Sequence, residues 1–227
     1  MTKKALVFFG VLGMFITGCG GGESGVSLDK LAGKMAESMC KKLYLCCNQQ
    51  EISEMESNFK FQGESGCRDY FSGSLETYLV TPMKNAVAAG RGQYDPAKAT
   101  VCLDAYEKLG CTGSNQNTKF FDECDNPYQG LGATGAECVN SLECQTGNYC
   151  STNTKKCVAF SGEKEDCLPG DEPYCAAGLY CEPNYTWCVK QKAENEACQT
   201  NTECQVGLVC DGTNKVCTKP APVCTGK

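Results

Sequence analysis

The sequence predicts a small disulfide-rich fold: an N-terminal disulfide-stapled α-helical domain, followed by three small cysteine-rich repeats with short β-hairpins. Three observations predict it. The chain of 227 residues holds 21 cysteines and no histidine, a cysteine fraction at the level of disulfide scaffolds. Apolar residues recur at helical three- and four-residue steps in the first half only. In the second half, twelve cysteines fall into three copies of one spacing, the strongest organisational signal in the chain.

Residues 1–18 read as an export signal. Lys3 and Lys4 form a basic start, and Ala5 to Ile16 is an apolar run. Such a run is short for a membrane span and suits a signal-peptide core. It ends in Ile16, Thr17, Gly18 and Cys19, which resemble the lipobox of bacterial lipoproteins: an aliphatic residue, two small residues and a cysteine. The resemblance implies cleavage before Cys19, diacylglycerol on its sulfur and an acyl chain such as palmitate on the new amino group. Several chains give stable anchoring, at roughly 0.8 kcal/mol per buried methylene. Residues 19–27 then read as lipidated cysteine plus glycine-rich tether. Gly20 after the cysteine points to the outer membrane.

Residues 28–127 read as the helical domain. Ser27 is a candidate N-cap, and Leu28, Leu31, Met35, Met39, Leu43 and Cys46 make one apolar face. A second helical pattern starts near Ser65 with Tyr70, Phe71, Leu75, Tyr78 and Leu79. Pro82 should kink or interrupt it, with Met83, Ala86 and Val87 continuing to the stop signals Gly90 and Gly92. Asp95 and Pro96 set an N-cap and a first-turn proline for a third helix, carrying Val101, Cys102, Ala105, Tyr106 and Leu109. Three short helices around a thin core need staples, which Cys40, Cys46, Cys47, Cys67, Cys102 and Cys111 supply at roughly 2–4 kcal/mol per link. Adjacent Cys46 and Cys47 either pair with different helices or form a vicinal disulfide with a thiol–disulfide role. The phrases CKKLYLCC and AAGRGQYDPAKATVCLDAYEKLGC resemble the N-terminal region of cysteine-rich lipoproteins of myxobacterial type, a likeness that implies no activity.

The repeats span 128–159, 160–190 and 191–219, with a tail at 220–227. Their cysteines are Cys138, Cys144, Cys150 and Cys157; then Cys167, Cys175, Cys181 and Cys188; then Cys198, Cys204, Cys210 and Cys217. The second gap is always five residues, the third always six, and both linkers are nine; the first gap is five, except seven in the middle copy. Gly147, Gly178 and Gly207 sit three residues before the third cysteine, where a turn with positive φ fits. Polar loops between the third and fourth cysteines predict hairpins. Large apolar residues are too few for a conventional core, so disulfides must replace it. Four cysteines allow three pairings; crossed links, first to third and second to fourth, clamp a compact unit best. Setting Cys19 aside leaves twenty cysteines. Of these Cys124 and Cys224 pair with each other or exchange with the helical set.

Zinc is disfavoured, because no Cys-x2-4-Cys turn occurs within a repeat. The spacing C-x5-C-x2-G-x-φ-C-x6-C resembles the Dickkopf N-terminal cysteine-rich module and, more loosely, EGF-like repeats. That likeness concerns architecture. A Wnt role is not carried over, since it sits badly with a bacterial lipobox.

Function is bounded mainly by exclusion. Without histidine there is no Ser-His-Asp or Cys-His pair and no histidine general base. The carboxylate pairs Glu163 with Glu165 and Glu194 with Glu196 look like solvated linker charges. The formal charge of −6 disfavours nucleic acid as a partner. The expectation is a non-enzymatic, lipid-anchored envelope protein without cofactor or metal. It displays its repeats to an unknown protein or surface polymer, or serves envelope structure; binding of a surface glycan or small ligand is the alternative. Tyr149, Tyr174, Tyr180, Tyr185 and Trp187 either form an aromatic contact surface or shield the disulfides.

Overall fold

The computed structural model describes residues 25–111, 124–220 and 224–225. Cys19 and the leader lie outside the described residues. The element order is α1 (Leu28–Cys46), α2 (Gln49–Phe59), α3 (Gly63–Leu75), a π turn (Glu76–Val80), α4 (Thr81–Ala88), β1 (Gly92–Tyr94), α5 (Pro96–Lys108) and β2 (Tyr128–Gly130). Three hairpins follow: β3 (Asn148–Cys150) with β4 (Cys157–Ala159), β5 (Leu179–Glu182) with β6 (Trp187–Lys190), and β7 (Val209–Cys210) with β8 (Cys217–Thr218). The fold is thus small and cysteine-rich, with ten disulfides, a helical N-terminal region and two-stranded antiparallel hairpins in repeated units.

Helix α1 serves two cores with its two halves. Leu31 and Met35 pack with Val80, Met83, Ala86, Ala99 and Leu103 in a hydrocarbon core. One and a half turns further on, Cys40, Leu43 and Cys46 join Cys47, Ile52, Cys67 and Cys224 in a core built largely of sulfur. Lys42 is buried beside them. Its Nζ donates to the carbonyls of Tyr106 at 2.5 Å and Leu109 at 2.6 Å, so it closes the end of α5, where helix carbonyls lack partners. Burial holds the Lys42 ammonium below its ordinary pKa and pushes Tyr106 up to about 12.

Several elements differ from the sequence reading. Helix α2 was not anticipated. Asn48 and Glu51 form a reciprocal capping box at its start. Pro82 interrupts its helix without ending it: the π turn widens the coil just upstream, where an α-helical proline would clash with a carbonyl. Asp95 caps α5 as expected, its Oδ1 accepting from Ala97 and Lys98 amides at 2.9 and 3.1 Å. Ser27 precedes α1 but makes no side-chain cap bond.

The staples are Cys40–Cys67, Cys46–Cys111, Cys47–Cys224 and Cys102–Cys124. Cys46 and Cys47 are therefore not bonded to each other. Cys46 is the last residue of α1 and Cys47 leaves it in extended backbone, so the two sulfurs part, Cys46 to Cys111 just beyond α5 and Cys47 to the returning tail. Cys124 and Cys224 each exchange with the helical set.

Candidate binding surface

Each repeat is built the same way. The disulfides run first to third and second to fourth: Cys138–Cys150 and Cys144–Cys157, Cys167–Cys181 and Cys175–Cys188, Cys198–Cys210 and Cys204–Cys217. Gly147, Gly178 and Gly207 have φ of 89°, 79° and 87°, a region that residues with a Cβ rarely adopt. Each turn delivers the chain into the first strand of its hairpin. In each hairpin the third and fourth cysteines belong to different crossed links, so the two sulfur bridges lie across one ribbon. In repeats 1 and 3 the buried cluster is the cysteines themselves.

The linkers dock in register. The amides of Gly132, Ser161 and Lys192 donate to the carbonyls of Glu143, Tyr174 and Glu203, the residues just before each second cysteine, at 2.8, 2.8 and 2.6 Å. The carboxylate pairs read as solvated charges have defined places. Glu165 and Glu196 accept from the Gly162 and Ala193 amides within the linkers, while Glu163 and Glu194 pair with Lys190 and Lys219, both at 3.7 Å.

A buried glutamate stands at every junction along the array. Where the helical domain meets repeat 1, Glu143 takes Arg91 in a two-pronged ion pair, Nε at 2.7 Å and Nη2 at 3.1 Å, and also accepts from the Val139 amide. At the same joint Tyr128 enters the hydrocarbon core and its hydroxyl donates to the Leu142 carbonyl at 2.9 Å. Strand β2 pairs with β1, so Tyr128–Gly130, read as the start of repeat 1, forms a ribbon with the helical domain. Gly130 is required there, because a Cβ would sit 2.2 Å from the Cys144 carbonyl oxygen.

Between repeats 1 and 2, Glu172 accepts from the Ser151 hydroxyl (2.6 Å), the Thr152 amide (2.6 Å) and the Thr152 hydroxyl (2.9 Å). These bonds hold its carboxyl below the ordinary value. Glu172 lies in the longer first gap of repeat 2. Between repeats 2 and 3, Glu203 meets Lys192 Nζ at 2.5 Å and accepts from the Gln199 and Thr200 amides at 3.1 Å. Burial pushes Glu203 up, but Lys192 and the two amides outweigh it and hold it below the ordinary value.

The five aromatics divide. Tyr149 and Tyr180 are 4% and 6% exposed, which corrects their reading as contact surface: both are joint residues. Tyr149 packs on Phe160 at 5.1 Å and edge-on to Tyr174 at 4.9 Å, and Lys192 lies over the Tyr180 ring at 5.7 Å. Tyr185 and Trp187 remain outside. They are 60% and 43% exposed and stack at 5.1 Å with planes 7° apart on the repeat 2 hairpin.

The sulfurs of the first, second and fourth cysteines of each repeat lie within 4.8 Å of one another. Disulfide bonding consumes the thiolates that a metal would need. Among the described residues no helix is long and apolar enough to cross a membrane. Compared with protein-family models, curated proteins and solved structures, the chain finds no match in any of the three.

Proposed function

We propose that this chain is a non-enzymatic, lipid-anchored protein of the bacterial cell envelope, held at the outer membrane through Cys19, that displays a stapled repeat array to a partner protein. The exposed Tyr185–Trp187 stack carries this reading. Large apolar rings left in water on a framework fixed by two disulfides lose little conformational freedom on binding, which suits an interface anchor. The joint residues support it by fixing each repeat against its neighbour, so the stack is presented in one orientation.

The test has two parts. Mass spectrometry of the mature protein reads the modification at Cys19, and diacylglycerol with an N-acyl chain is the expected result. A pulldown from outer-membrane extract then compares wild type with Trp187→Ala. Equal partner recovery by the two would remove the aromatic anchor, and an unmodified Cys19 would remove the lipid anchor.

A further inference from the structure

Beside the exposed stack, repeats 2 and 3 enclose a cleft of about 460 Å³, within the size range of ligand sites. Its walls are mainly apolar: Leu168, Pro169, Pro173, Tyr174, Leu179 and Pro183, with Tyr180 among them. Gln191 lines it too. The Gln191 Nε2 donates to the Thr202 carbonyl at 3.1 Å, while its Oε1 is buried with no hydrogen-bond partner among the described residues. A buried acceptor left unpaired is costly, and a small swing of this half-buried side chain offers it to a bound N–H.

The cleft reaches the face of the hairpin that carries Trp187 through Tyr180, while Leu179 and Cys181, also in its lining, alternate to the other face. Tyr180 and Glu182 are two residues apart on β5, so their side chains point the same way, and the Tyr180 hydroxyl donates to Glu182 at 2.8 Å. Trp187 is the cross-strand partner of Glu182, which puts it on that face as well. Along that face the cleft-lining Tyr180 is followed by the carboxylate and the indole.

The charges nearby favour a cation. Repeat 2 carries Glu163, Glu165, Asp166, Asp171, Glu172 and Glu182 against Lys164 and Lys190. No lysine lines the cleft, and Lys192, next in sequence to Gln191, is already committed to Glu203 and the Tyr180 ring. An indole face beside a carboxylate attracts ammonium and guanidinium groups.

From this juxtaposition we propose that the cleft and the Tyr185–Trp187 stack form one site for an extended segment of the partner protein. An apolar side chain of that segment enters the cleft, its adjacent peptide N–H donates to Gln191, and a neighbouring lysine or arginine lies over Trp187 beside Glu182. The inference rests on the display function proposed above and adds the chemistry of the partner.

Trp187 is the only tryptophan in the chain, so its emission reports on the site directly. The folded, oxidised protein is titrated with amidated hexapeptides pairing Leu or Phe with Lys or Arg. The same peptides with Glu in place of the cation, and neutral oligosaccharides, serve as comparisons. The apolar-cationic peptides alone should shift the emission, with affinity falling as salt is raised. Glu182→Gln should weaken them by about tenfold at low salt. Leu168→Ala, at an exposed position that leaves the disulfides intact, should weaken every binding peptide alike. Equal binding of the glutamate peptides, a response to oligosaccharides in place of peptides, or no response at all would each overturn the site. If peptides fail while wild type still captures a partner that Trp187→Ala loses, the display function stands and only this inference falls.

Discussion

The Glu172 carboxylate of repeat 2 accepts a hydrogen bond from the Thr152 amide of repeat 1 at 2.6 Å. A side chain from one module thereby closes the hairpin loop of the module before it. Replacing Glu172 with Ala should free that loop while leaving both crossed disulfide pairs of repeats 1 and 2 in place. Hydrogen exchange is the measurement: faster exchange at Thr152 is expected, with amides of repeat 3 unchanged. Unaltered protection at Thr152 would show that Glu172 is not what orders the loop.

The joints should respond to acid. Glu172 and Glu203 are both held below the ordinary carboxyl value of 4.5. A carboxyl depressed in the folded state stabilises that state above the unfolded value, and the contribution is lost as pH falls through the folded value. The two joints therefore hold at neutral pH, weaken as pH falls below 4.5 and open once it has passed through their own lower values, while the disulfides stay closed. Small-angle scattering in steps from pH 7 to about pH 2 should show the array becoming more flexible towards the acid end. Identical profiles would count against carboxylate-controlled joints.

Lys42 is predicted to be structural. Lys42→Met keeps the buried aliphatic stem but removes the ammonium from the Leu109 carbonyl and leaves the Tyr106 carbonyl with the Leu109 amide alone. The cost should be about 1–3 kcal/mol, read as a lower midpoint in denaturant unfolding of the oxidised protein.

Cys224→Ser should also destabilise, by roughly 2–4 kcal/mol. It removes the link to Cys47 and the anchorage of Thr225, whose amide and hydroxyl both reach Glu51 at 2.7 and 2.6 Å. Thermal unfolding of the variant measures this, and a thiol count of one at Cys47 confirms that the other links have not reshuffled.

Much of this architecture is legible in the sequence because cysteine spacing and helix signals are local. Asp95 before Pro96 marks the start of α5 by itself, and the glycine three residues before each third cysteine marks each turn. Helix α2 escaped because Ile52, Met55 and Phe59 are its only large apolar residues and Ile52 alone is buried; the readable signal was the box of Asn48 and Glu51. The β1–β2 ribbon escaped because its three-residue strands are far apart in the chain, and no local pattern reports such pairing.

The joint glutamates were also missed. Glu143 and Glu203 occupy the same repeat position, just before the second cysteine, so aligning the repeats does bring them together. Acidic residues are read as surface by default, and their burial depends on Arg91 and Lys192, which lie outside the four-cysteine unit. Tyr149 and Tyr180 misled in the opposite direction. A tyrosine in a polar, disulfide-held module looks exposed until the neighbouring module is packed against it.

The bond between Cys47 and Cys224 closes a covalent ring that contains all three repeats. An open chain on a cell surface sheds its outer part after one protease cut. Here a single nick in either nine-residue linker leaves one fragment joined to the helical domain through the backbone and the other through the tail disulfide. Release of a repeat from the helical domain then needs two cuts, or one cut and reduction of that bond.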